Sequence, residues 1–150
     1  MVSNPPVYYP SETASFAGFW KRFAAGAIDL FITVLIGFVA GGTIGFLMGA
    51  SGYNIDAIQA LAQVCGYLAS WIFYAAFESS ELQATPGKRA LGIQVTDLAG
   101  KRISFGRASG RFFSKYLSCL ILFIGFVMIG LTKKKQGLHD IIAGCLVVNR

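Results

Sequence analysis

LFITVLIGFVAGGTIGFLMGASGYNI, residues 30–55, holds 26 consecutive positions without Asp, Glu, Lys or Arg. As a helix, roughly 20 such residues cross the hydrocarbon core of a bilayer, about 30 Å thick. AIQALAQVCGYLASWIFYAAF, residues 57–77, follows with 21 uncharged positions, and residues 116–132 add 17. The first two runs meet the span requirement of roughly 17–25 residues, and the third sits at its lower limit. Charged residues make up 13% of the 150-residue chain, against about 25% in a typical soluble domain. That is too little charge to cover a water-facing surface. Thirteen Phe and the long apolar runs also exclude low-complexity disorder. The fold class expected is all-α integral membrane. An antiparallel transmembrane helix hairpin spans about 16–48 and 58–77, and a third membrane-embedded segment, spanning or re-entrant, covers about 105–131.

Outside these runs the chain is polar. Residues 1–15 contain prolines and lack the basic start of a signal peptide, so they are expected to be an unstructured tail ahead of one domain over 16–150. The loop over 78–104 is basic. Within it, residues 91–96 alternate like a short strand, 97–100 read as a turn and 101–103 as a return strand, a small cytoplasmic β-hairpin. Ser104 is placed to cap the next helix. The tail over 132–150 carries a short helical stretch at 139–142 and an apolar 145–148 that reads as a last strand.

Charge placement sets the orientation. Lys21 and Arg22 precede the first run, and the turn at 50–56 has no Lys or Arg. Residues 78–111 carry six: Lys88, Arg89, Lys101, Arg102, Arg107 and Arg111. Cytoplasmic flanks are rich in Lys and Arg, so the N-terminus and long loop are expected inside, as a multi-pass protein of the cell membrane. A spanning third segment would leave Lys133, Lys134 and Lys135 outside, against that rule. A re-entrant or interface-lying segment keeps them inside and lets 145–148 pair with 91–96.

Asp29 is the most informative single residue. It lies seven positions past Arg22, about 10 Å deeper along the helix and only about 20° away around it. A carboxylate at that depth must be paired, hydrated or protonated. It is either a buried polar staple or a cation- or proton-binding group. Gly37, Gly41, Gly45 and Gly49 recur every four residues, a spacing that lets two helices approach closely. The partner is helix two of the same chain or a neighbouring copy. Helix two carries a polar stripe, Gln59, Gln63, Tyr67, Ser70 and Tyr74. With Asp29 and Thr33 it could line a polar cavity or supply interhelical hydrogen bonds.

Other chemistries find no support. Thr85-Pro86-Gly87-Lys88 resembles a phosphate loop only superficially, since Leu82 stands where the first Gly is required and Arg89 where Ser or Thr should bind magnesium. No triad or carboxylate pair for hydrolysis is apparent, so the chain is not expected to be an enzyme. The single His and three dispersed Cys give no metal or cofactor site. The net charge of +6 matches anionic lipid headgroups at the cytoplasmic face of a bilayer, and no nucleic-acid partner is expected. A homo-oligomer or a complex with another membrane protein would cover the glycine face.

Three separated motifs carry a family resemblance. Gly18-Phe19-Trp20-Lys21-Arg22-Phe23-Ala24-Ala25 with Ile28-Asp29 is similar to the opening of RDD domain proteins. Thr85-Pro86-Gly87-Lys88-Arg89-Ala90-Leu91-Gly92-Ile93, with Ser104-Phe105-Gly106-Arg107-Ala108, resembles the family's central loop. Gln136-Gly137-Leu138-His139-Asp140 resembles its ending. The resemblance implies a bacterial-type membrane protein whose named arginine is Arg22 and whose two aspartates are Asp29 and Asp140. It further implies a transport-related role with no set substrate. The residues themselves suggest a cation or proton bound at Asp29 with Arg22 as counter-charge, and Asp140 as an interface carboxylate pairing with Arg22 or with the loop arginines. The alternative is a structural or accessory subunit in which the three charges lock an assembly.

Overall fold

The computed structural model describes residues 15–52, 54–120 and 124–150, the side chains of 119, 120 and 124–127 excepted. Two long helices lead the chain, α1 (Phe19–Ala50, 32 residues) and α2 (Ile55–Ser79, 25 residues). Both are apolar and long enough to cross a membrane. Gly52, at φ +76°, turns the chain between them. The Asn54 side chain then accepts the Asp56 N–H at 2.8 Å and caps α2.

At about 1.5 Å per residue, α1 is roughly 48 Å long, well beyond the hydrocarbon thickness. The surplus is its first three turns. Ala25 and Asp29 are the buried residues of α1, and no residue from Leu30 onward is buried. The charge-free part is therefore a bare rod, and the charged start is packed into a polar cap.

The cap is built from the rest of the chain. After α2 come α3 (Pro86–Ala90), β1 (Ile93–Asp97), α4 (Phe105–Leu120), α5 (Ile124–Leu131), α6 (Leu138–Ala143) and β2 (Cys145–Asn149). Pro86 suits the first turn of α3, where its missing N–H is not needed. Gly144 ends α6 in the left-handed region, at φ +61°.

β1 pairs antiparallel with β2, from Ile93 opposite Asn149 to Asp97 opposite Cys145. The predicted local β-hairpin is thus corrected. The turn exists, since Asp97 Oδ1 accepts the N–H groups of Ala99 and Lys101, each at 2.8 Å. The segment after it does not continue as a strand. Lys101 and Arg102 are exposed, whereas Leu146, Val147 and Val148 bring buried apolar side chains that a half-buried strand can pack. β2 also meets the N-terminal side, with Phe16 bridging Val148 and the Ala17 N–H donating to Val147 O at 2.9 Å. Residues 16–17 therefore edge the sheet, and α1 starts at Phe19 and not at Phe16.

Over 105–131, where a third membrane-embedded segment is expected, the described residues are helical as α4 and α5, on either side of residues 121–123, which lie outside the described residues. Arg111 and Phe112 of α4 are buried in the cap, while Phe113 and Leu117 are exposed on its other side. Because β2 returns to β1, the C-terminal strand sits on the same side as the 78–104 loop. The tail expected over 1–15 lies, up to residue 14, outside the described residues.

Val147 is fully buried in the core with Ala17, Ala25 and Val95. Val147→Ala removes two methyl groups there and should cost on the order of 2 kcal/mol. Urea unfolding in a mild detergent, followed by intrinsic fluorescence, measures that loss.

Candidate functional site

The sequence sets Arg22 and Asp29 on one face of α1, and the cap gives them different partners. Asp29 is fully buried. One carboxylate oxygen accepts from Thr85 Oγ1 at 2.5 Å and the other from the Gly87 N–H at 2.7 Å. Thr85 precedes α3 and Gly87 lies in its first turn, so the carboxylate ties α1 to the start of that helix. Gly87 is there because nothing larger fits. A Cβ at this position would lie 2.2 Å from Ala25 O and 2.8 Å from Asp29 Oδ1.

Arg22 turns instead to the C-terminal segment. Its Nη1 donates to Asp140 Oδ2 in an ion pair. Its Nε donates to Ala17 O at 2.9 Å, and Nη2 to Lys135 O at 2.6 Å. Asp140 is fully buried in the first turn of α6 and also accepts the Gly137 N–H at 3.2 Å. Arg111, from α4, donates through Nε to the other Asp140 oxygen at 2.7 Å. Its Nη1 faces Glu78 Oε2 at 2.7 Å, and Lys88 of α3 pairs with the remaining Glu78 oxygen. Arg22, Asp140, Arg111, Glu78 and Lys88 thus form one alternating chain of charges drawn from α1, α6, α4, α2 and α3.

The alternation shapes the titration of the cap. Burial would raise the Asp140 carboxyl, but Arg111, His139 and Arg22 together hold it well below the ordinary carboxylate range. Burial would lower Arg111, and Glu78 and Asp140 outweigh it, keeping the guanidinium charged. His139 behaves oppositely. Burial pulls it down to about 3, against the attraction of Asp140 and with the help of Arg111, so it is neutral at pH 7.

The other predicted residues fall outside this network. Thr33 bonds back to its own helix, donating to the carbonyls of Asp29 and Leu30 at 3.0 Å each. Gln59, Gln63 and Tyr67 are exposed and Ser70 is half-buried, so the polar stripe does not close a cavity with Asp29 and Thr33. Only Tyr74 of that stripe lines the cavity beside Asp29. A Cβ at Gly37, Gly41, Gly45 or Gly49 would meet no atom within 4 Å, so the ladder makes no close approach inside one chain. Among the described residues no group of three or more His, Cys, Asp or Glu side chains could hold a metal ion.

Sequence reasoning passed over Glu78, Thr85, Lys88 and Arg111. Glu78 directly follows the charge-free run of α2, and a carboxylate at that point must be paired, hydrated or protonated just as Asp29 must. Thr85, Gly87 and Lys88 stood inside a segment read as a failed phosphate loop and as the family's central loop, with no partner assigned to any of them.

Residues 16–144 match the model of the RDD family. The chain is also 36% identical over 148 residues to the uncharacterized protein YxaI of Bacillus subtilis (strain 168), an alignment covering 88% of this chain and 96% of that protein. No solved structure matches.

Two outcomes follow from the geometry. Gly87→Ala must push α3 off α1 and should destabilise the fold by roughly 1–3 kcal/mol, read as a lowered melting temperature in detergent. Neutral His139 makes the fold acid-sensitive. Between an unfolded value near 6.5 and the folded value of about 3, the unfolded chain binds the extra proton. Stability should therefore fall as pH drops through that window, and His139→Gln should flatten the fall in melting temperature between pH 7 and pH 4.5.

Proposed function

The chain belongs to the RDD family, and from that footing we propose that it is a small multi-pass protein of the cell membrane, acting as a structural or accessory component and not as an enzyme. α1 and α2 cross the bilayer as a hairpin, and the cap lies at the cytoplasmic face. Basic residues of the cap, with none in the turn at 50–56, support that orientation. The basic surface of the cap meets anionic headgroups. The glycine face of α1, uncovered in one chain, is left for a helix of a second copy or of another membrane protein.

One observation carries the structural reading over cation or proton translocation. Both oxygens of Asp29 are already taken, by Thr85 Oγ1 and the Gly87 N–H, and the carboxylate has no exposure. Arg22 is committed to Asp140 and does not act on Asp29 as a counter-charge. The three charges behave as a lock among segments. Transport is the second reading, favoured by one feature: Asp29 borders a cavity that opens between the helices, and buried ionisable groups beside spans often mark solute pathways.

Asp29→Asn separates the two. An amide can keep the Gly87 N–H on its oxygen and donate to Thr85 Oγ1, but it exchanges two charge-assisted hydrogen bonds for neutral ones, a loss of about 1 kcal/mol. The structural reading expects lower membrane abundance and a lower melting temperature. A variant of normal abundance and melting that loses sodium- or proton-driven flux in proteoliposomes would instead establish transport.

A further inference from the structure

The cavity at the junction of α1, α4 and α5 has a volume of about 710 Å³, within the usual range for small-molecule sites, roughly 300–1,000 Å³. Its walls are apolar. Phe23 and Leu30 of α1 and Tyr116 of α4 stand half-open at its mouth, while Phe112 and Ile129 close it behind. Gly26 leaves its floor empty, with no atom within 4 Å of where a Cβ would be. Its polar end is cationic, with Arg22, Lys88, Arg111 and Lys115 all on the lining.

Three of those four cations are spoken for. Arg22, Arg111 and Lys88 are paired with Asp140 and Glu78. Lys115 is not. Among the described residues its ammonium has no carboxylate within 4.0 Å. It sits over the face of Tyr74, 4.5 Å from the ring centroid. Asp29, the carboxylate on the lining, is held by Thr85 and Gly87. With His139 neutral, the cluster holds four cations against three carboxylates, a net charge of +1, and Lys115 is the lining cation without an ion pair among the described residues. Burial draws Lys115 down to about 8, with Glu78 opposing, so the charge is under-compensated.

We propose that this cavity is a binding site for an amphiphile with one anionic oxyacid group, its head on Lys115 and its alkyl chain between Phe23, Leu30, Phe112 and Tyr116. The ligand class is an acidic membrane phospholipid or a free fatty acid, which share a single negative charge on a hydrocarbon tail. The charge asymmetry argues against a cation as occupant. The apolar walls argue against a small free anion, which would leave them wet. The site rests on the reading that the chain lies in a bilayer, where such a ligand reaches the open mouth from the side.

Native mass spectrometry of the delipidated full chain tests the site, with phosphatidylglycerol, phosphatidylcholine, oleate and inorganic phosphate as probes. Phosphatidylglycerol should bind roughly tenfold tighter than phosphatidylcholine, as expected for one charge-assisted hydrogen bond. Lys115→Gln should remove that preference, Lys115→Arg should keep it, and Lys133→Gln, an exposed lysine, should leave it unchanged. Gly26→Leu, which fills the floor and replaces a helical glycine with a better helix former, should lower binding while the melting temperature holds. Whether oleate or phosphatidylglycerol binds tighter distinguishes the two sources of the class. Equal binding of the two phospholipids, equal effects of Lys115→Gln and Lys133→Gln, or displacement by inorganic phosphate alone would overturn the site. Alkaline carbonate extraction of cell membranes reads the membrane assignment separately. A chain that stays in the pellet but shows no headgroup preference sinks only the cavity proposal, and a chain released to the supernatant sinks the bilayer reading itself.

Discussion

Arg111 lies between two buried carboxylates, Asp140 and Glu78, each 2.7 Å away, and the cap is organised around that position. Arg22 closes one end of the charge chain and Lys88 the other. Removing one buried charge from water costs several kcal/mol, and attraction offsets the cost only when every neighbour is in place. Each ion here is compensated by a residue from a different helix. The arrangement therefore specifies which helices must meet as well as how strongly they hold.

Asp29 adds a second fixed point of a different kind. Its partners are a hydroxyl and a backbone amide, so it makes no charge pair with them. It fixes the distance between α1 and α3 through a contact so close that only glycine fits at position 87. Lys88, the next residue, is thereby presented to Glu78. The two fixed points are coupled through α3, a helix of five residues that would have little stability of its own.

The consequence is an uneven molecule. Its polar chemistry is crowded at one end of the hairpin, where α1, α2, α4 and α6 converge with the two-stranded sheet. The far ends of α1 and α2 make no buried contact of their own. The cavity lies beside the start of the α1 rod, with apolar walls from the first turns of α1 and from α4 and α5 and a cationic end deeper in the cap.

The sequence by itself determined the two long helices, the basic loop and the turn between the helices, because each depends on local runs of hydrophobicity, charge and capping residues. It also marked Arg22, Asp29 and Asp140 as exceptional, since charges beside long apolar runs demand partners. Which partners they take was decided only in three dimensions. Arg22 and Asp140 are separated by 118 positions, and Asp29 and Gly87 by 58; no periodicity encodes such pairings. The same holds for β1: its alternation is visible in the chain, which offers both the adjacent segment and 145–148 as partners, and packing selects the last strand. Strand pairing and ion pairing are satisfied by whatever complementary surface the packed helices bring near, and that surface exists only once the cap has closed.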